Sequence, residues 1–115
     1  MSTAPVFVDT LFFAPTALTS VGTTSSFLVA DQNNAGTLCV GFQVTVASIG
    51  INVVVRFEGS LDGTNFFALA ATDTTITANG TTGYNFANFP LKALRGRLVS
   101  ISTGTPTVTF VMSAQ

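Results

Sequence analysis

Apolar and polar residues alternate with a period of two in several stretches of the chain, and this pattern predicts strands. From Cys39–Ala47, Val40, Phe42, Val44 and Val46 fall on one face, with Gly41, Gln43 and Thr45 on the other. In the next run Ile51, Val53, Val55 and Phe57 share a face opposite Asn52, Val54, Arg56 and Glu58. The last run sets Val108, Phe110 and Met112 against Thr107 and Thr109. Period two over such lengths is the mark of half-buried antiparallel strands. Weaker strand candidates lie at 6–13, 26–30, 66–70, 74–78, 84–86 and 94–102.

Turn residues separate these runs: Pro15, Gly22, Asn33-Asn34-Ala35-Gly36, Gly50, Asp62-Gly63, Asn79-Gly80, Gly83, Pro90 and Gly104-Thr105-Pro106. Helix signals are nearly absent, and β-branched and aromatic residues abound. The expectation is an all-β domain, an antiparallel β-sandwich of roughly eight strands, jelly-roll or immunoglobulin-like. With 115 residues there is room for one core. Residues 14–115 are assigned to that sandwich, and residues 1–13 to an N-terminal strand or arm. The stretch Ala4-Pro5-Val6-Phe7-Val8 through Leu11-Phe12-Phe13 supports both readings, as a first strand of the domain or as an arm packed on a neighbouring subunit.

Composition changes the picture in one respect. Charged residues make up 8% of the chain, against about 25% in ordinary soluble domains. Hydrophobic content is an ordinary 47%, so Thr, Ser, Asn and Gly have replaced the charges. Such a surface is poorly guarded against association, which suits a subunit covered by neighbours. Outward apolar positions such as Val54, Val99 and Val111 point the same way. A net charge of −1 gives no basic footprint for nucleic acid. No run reaches the roughly 18 apolar residues of a membrane span, and the N-terminus lacks a secretory pattern. These features predict a soluble chain, mature from Met1 and made in a cytoplasm, with neither nucleic acid nor membrane as a partner.

Catalytic chemistry has little to work with. The chain contains no His, which removes the usual base and commonest metal ligand. Cys39 is the sole cysteine, so it has no intrachain partner and no imidazole to activate it; its apolar strand setting predicts an inert, packed thiol. No phosphate-binding loop is present. Asp62, Asn65 and Asp73 have the oxygen ligands a calcium ion takes, but turns need the same residues, and turn chemistry is the preferred reading. Asn79-Gly80-Thr81 matches a glycosylation sequon, but without a secretory signal the preferred reading is a plain Asn-Gly turn. No catalytic, cofactor or metal-binding residue is therefore assigned. Arg56, Glu58, Lys92, Arg95 and Arg97 hold most of the charge, grouped on two strands. Cross-strand pairing on a solvated face and orientation of a subunit contact both account for them.

Asp62-Gly63 between two apolar runs is a hairpin signal, with Gly63 suited to positive φ and Asp62 to capping. The run Arg56-Phe57-Glu58-Gly59-Ser60-Leu61-Asp62-Gly63-Thr64-Asn65-Phe66-Phe67-Ala68-Leu69 resembles the strand, S-x-D-G-T-N, aromatic hairpin of small β-sandwich proteins from tailed bacteriophage particles. Phe66 stands where such sequences usually have Trp. Tyr84-Asn85-Phe86 and Phe89-Pro90-Leu91-Lys92-Ala93-Leu94-Arg95-Gly96-Arg97-Leu98 fit the same pattern, a Pro preceding a strand that carries Arg. The resemblance implies a virion structural protein of the head decoration (cement) type. It would be a homotrimer on the outer capsid surface, binding itself and the major capsid protein and clamping neighbouring capsomers. A tail or fibre component is the alternative within the same class. A carbohydrate-binding module, stacking a sugar on Phe66, Phe67 or Tyr84, is the alternative from another. The candidate interface residues are Val6, Phe7, Phe12, Phe13, Val54, Arg56, Arg95 and Arg97, with Asp62, Gly63 and Asn65 forming the hairpin turn.

Overall fold

A computed structural model describes residues 11–28, 39–87 and 91–114. Within them the chain forms strands β1 (Leu11–Leu18), β2 (Gly22–Thr23), β3 (Phe27–Leu28), β4 (Cys39–Ala47), β5 (Val53–Ser60), β6 (Phe67–Ala68), β7 (Thr74–Ile76), β8 (Gly80–Ala87), β9 (Ala93–Ile101) and β10 (Thr107–Ala114). They build two antiparallel sheets, and no described residue is helical.

The first sheet has the order β1-β10-β4-β8. In the second, β9 and β5 form the centre. The short β2 and β3 pair successive parts of β9, and β6 and β7 pair successive parts of β5. Each couple is one interrupted edge strand, so the ten pieces occupy eight strand positions. The chain passes back and forth between the sheets: β1 in the first, β2 and β3 in the second, β4 in the first, β5 to β7 in the second, then β8, β9 and β10 alternately. This order is that of a jelly roll rather than an immunoglobulin sandwich.

The core follows from the alternation. Val40, Phe42, Val44 and Val46 of β4 and Val108, Phe110 and Met112 of β10 are at most 2% exposed, and face Val53, Val55, Phe57, Leu94 and Leu98 of the other sheet. Phe57 sits at the middle, its ring 4.8 Å from Phe42, 4.7 Å from Tyr84 and 6.4 Å from Phe110. Fully burying side chains of this size contributes about 1.5–3 kcal/mol apiece. Gly96 leaves room for Phe110 to lie directly on the β9 backbone.

Several details differ from the pattern-based expectation. Ile51 is exposed, because β5 begins only at Val53 and its register on β9 shifts between Val54 and Val55. Adjacent in a candidate strand, Phe66 and Phe67 should send one ring inward, but neither enters the core; β6 is two residues long, and Leu69 and Leu91 fill that end instead. Cys39 is exposed, since period two places it with Gly41 and Gln43 on the outer face. The division between residues 13 and 14 falls inside β1, whose backbone pairs with β10 from Leu11↔Ala114 to Leu18↔Val108. The N-terminal candidate run at 6–13 is covered only from Leu11 onward, and Val6 and Phe7 lie outside the described residues.

Candidate interaction surfaces

The outer face of the second sheet gathers the charge. Pairing of β5 with β9 sets Arg56 opposite Arg97 and Glu58 opposite Arg95. Two arginines directly across a ladder repel, and two carboxylates resolve the conflict. Asp73, just before β7, takes Arg56 in a two-pronged contact, Nε to Oδ1 at 2.7 Å and Nη2 to Oδ2 at 3.0 Å. Glu58 accepts from Arg95 Nε at 2.6 Å and Arg97 Nε at 3.0 Å, with Arg56 Nη1 3.7 Å away. Its side chain is only 4% exposed although it lies on the outer face, because the arginines lie over it. A carboxylate so covered is tolerable only with partners of this quality. The Arg95 guanidinium stacks over the Phe66 ring, 4.0 Å from its centroid. The hydrogen bonds between Arg56 and Asp73 raise the guanidinium's pKa and hold the carboxyl below its usual range.

The Asp62 turn is closed by side-chain caps. Buried Ser60 accepts from the Gly63 amide through Oγ at 2.8 Å and donates to Asp62 Oδ1 at 2.9 Å. The Thr64 and Asn65 amides also donate to Oδ1, each at 2.8 Å, and Asn65 Nδ2 donates to Oδ2 at 2.8 Å. These donors, the Asn65 amide first, push the Asp62 carboxyl well below the usual carboxylate range. Gly63 has φ +82°, in the region glycine favours. Asp62 thus spends both oxygens on its own turn, and Asp73 spends its own on Arg56.

The outer face of the first sheet is the opposite case. Gly41, Gln43, Thr45 and Ala47 of β4, Thr81, Gly83 and Asn85 of β8, and Thr107, Thr109, Val111 and Ser113 of β10 all point outward and none is charged. Thr45 and Thr81 hydroxyls bond across strands at 2.8 Å. Gly41 and Gly83 leave a shallow open depression of about 240 Å³ rimmed by Gln43, Asn85, Val111 and Ser113. Every charged residue among those described, Arg56, Glu58, Asp62, Asp73, Lys92, Arg95 and Arg97, lies on the second sheet or its loops.

The structure therefore brings together Arg56, Arg95 and Arg97 and adds Glu58, Asp73 and Phe66 to them. Val54 is half-buried beside Ser100 on the same sheet, and Val99 is the extra residue of the β5–β9 irregularity, whereas Val111 belongs to the other sheet. The three valines do not form one patch. Phe12 and Phe13 hold register positions opposite Ser113 and Met112 of their own chain. Of the three aromatic residues considered for sugar stacking, Phe66 is covered by Arg95, and Tyr84 is half-buried against Phe57. Phe67 is 41% exposed. The uncharged face was not singled out from the sequence; alternate residues of three non-consecutive strands compose it, and only the sheet order unites them.

No protein-family model matches the chain, and no curated protein matches its sequence significantly. Among solved structures, the SPBc2 prophage-derived protein YomS is similar over 93% of this chain and 94% of its own, with a TM-score of 0.60 and 13% identity. That likeness is one of fold. A chain from Bacillus endospore appendages, described as a family of disulfide-linked pili, covers 99% of this chain and 96% of its own, at a TM-score of 0.43 and 8% identity. That score is too low to establish a shared fold.

Proposed function

We propose that this chain is a structural subunit of a phage particle, a decoration protein that binds the outer shell and stabilises contacts between capsomers. The observation that carries the reading is the segregation of charge. Every described charged residue lies on the second sheet or its loops, and the first sheet presents a broad face of Thr, Ser, Gln, Asn and Gly, with Ala47 and Val111, that carries none. A face of that kind costs little to desolvate against a protein surface, since short hydroxyl and amide side chains bring no ionic hydration to remove. The charged face remains in solvent and keeps the particle surface soluble. The partners in this reading are further copies of the chain and the major capsid protein, and the location is the capsid surface. The S-x-D-G-T-N hairpin resemblance and the fold likeness to a prophage-derived protein support it.

Quantitative mass spectrometry of purified particles tests the proposal. A copy number that matches the repeated capsomers is expected. A handful of copies per particle assigns the chain to the tail or a fibre instead, and absence from the particle overturns the reading altogether.

A further inference from the structure

Sheets present four lateral edges in a sandwich, and three of these are blunted among the described residues. The β1 edge carries Pro15 and a register break between Phe13 and Thr16. The two edges of the second sheet are broken into pieces of two or three residues, β2 and β3 on one side, β6 and β7 on the other. Proline, irregular register and short strands are the ordinary defences against edge-to-edge pairing. The fourth edge, β8, has none of them. Its eight residues hold no proline and no charge, and its ladder with β4 runs from Cys39↔Ala87 to Val46↔Gly80 without a break. Among the described residues no strand pairs its other side.

We infer that the β8 edge over residues 80–85 pairs antiparallel with the same edge of a second copy, joining two four-stranded sheets into one. A self-pairing edge meets its own charges, so a charged strand repels itself. Gly80-Thr81-Thr82-Gly83-Tyr84-Asn85 contains no such charge, and the adjoining β4 and β10 face contains none either. Thr and Asn side chains placed across a ladder hydrogen-bond favourably. The ionic network lies on the opposite sheet, away from the join. The contact is isologous and closes as a two-fold dimer, in place of the trimer that the hairpin resemblance implies. It rests on the structural-subunit reading for its setting alone.

Gly83→Lys tests it. A Cβ at Gly83 meets nothing within 4 Å, and the position is exposed, so the fold accepts the side chain. In a two-fold pairing centred at Thr82 or Gly83, which keeps the two outer faces on one side, the two introduced ammonium groups lie within a Debye length of about 10 Å at 0.1 M salt. Sedimentation velocity at tens of micromolar should show a wild-type dimer. Gly83→Lys should weaken it about fivefold or more with an unchanged melting temperature. Gly83→Asp should behave alike, and an equimolar mixture of the two variants should regain the dimer. If Gly83→Lys lowers the melting temperature, Asn85→Lys, also exposed on this face, serves in its place. A monomeric wild type, a variant that assembles as the wild type does, or a mixture that stays dissociated overturns the inference. A protein found on particles whose solution assembly ignores these charges refutes the edge contact alone. One that dimerises through β8 yet is missing from particles refutes the structural-subunit reading alone.

Discussion

Gly96→Ala adds one methyl group at the closest approach between the two sheets. Gly96 is buried in β9, and a Cβ built there stands 2.6 Å from both Cγ and Cε1 of the Phe110 ring. Real Cβ atoms do not approach carbon that closely, so the ring or the β9 backbone must move. Phe110 is fully buried between sheets and has no open side to swing toward. Overpacking of this kind costs about 1–3 kcal/mol, which for a domain near this size lowers the melting temperature by about 4–12 °C. Gly59 provides the contrast. Its added Cβ would meet the terminal carbons of Leu91 at 2.7 and 2.9 Å, atoms at the end of a rotatable side chain, so Gly59→Ala should cost less. Urea unfolding of both variants measures the difference. A double-mutant cycle with Phe110→Leu locates the cause, because a smaller side chain relieves the clash and should return a coupling of about 1 kcal/mol. A Gly96→Ala loss below about 0.5 kcal/mol, or strict additivity with Phe110→Leu, refutes the packing argument. The substitution also reaches the surface, since Arg95 and Arg97 flank Gly96 and a displaced β9 carries both away from Glu58.

Glu58→Gln removes the charge that Arg95, Arg97 and Arg56 share. The arginines are partly exposed and partly screened, so a cost of about 1–2 kcal/mol is expected in low salt, and it should shrink in high salt; denaturant melts at both ionic strengths would refute the network if the variant were neutral in each. Gly63→Val forces a β-branched residue to φ +82° and should cost about 1–3 kcal/mol, whereas Asp62→Ala, which leaves the backbone permitted, should cost less by the same melts. Chelator should leave the wild-type melting temperature unchanged, and a chelator-sensitive wild type would restore a metal role for Asp62, Asn65 and Asp73. Asp62 and Asp73 have folded-state pKa values lowered by their hydrogen bonds, so the unfolded chain binds protons first as pH falls. Their stabilisation is complete above about pH 5 and is lost progressively in acid below about pH 4; a wild-type advantage over Asp62→Ala that persists unchanged at the acid end would contradict the cap.

The sequence made the core legible where a strand is long and its two faces differ. Val40 to Val46 and Val108 to Met112 alternate without exception, and both runs are buried on the side their pattern indicates. Legibility failed where packing at strand ends overrides the pattern. Ile51 continues the phase of Val53 and Val55 but precedes the strand, so nothing covers it. Phe66 and Phe67 are neighbours in a candidate strand, which would send one ring inward, yet β6 is too short to hold either over the core, and the Phe66 ring stacks against Arg95 instead. Among the described strands, the two-residue β2 at Gly22–Thr23 had no candidate run, because two residues show no alternation. Strand order, which separates a jelly roll from an immunoglobulin sandwich, was not readable because it depends on pairings such as β1 with β10 that join the two ends of the domain.

The surfaces were legible only in part, for a reason that bears on function. Arg56 and Glu58 could be placed on one face from their spacing, and Arg95 and Arg97 on another. That the two pairs interlock follows only from the β5–β9 register, across 37 or more residues. Asp73 joins them through β7, a strand of three residues. A low charge content by itself does not distinguish a thinly and evenly charged surface from a divided one, and the two behave differently. Scattered charges leave an ion on every face, so any contact must remove ionic hydration. Five of the seven described charged residues form one network that satisfies a buried Glu58 at the centre of the second sheet, and the outer face of the first sheet keeps hydroxyls, amides, glycines, Ala47 and Val111. The first sheet can then be covered at little electrostatic cost, and its uncharged β8 edge can meet a copy of itself. Under the proposed function, the placement of the described charges then selects which face is covered and which stays in water.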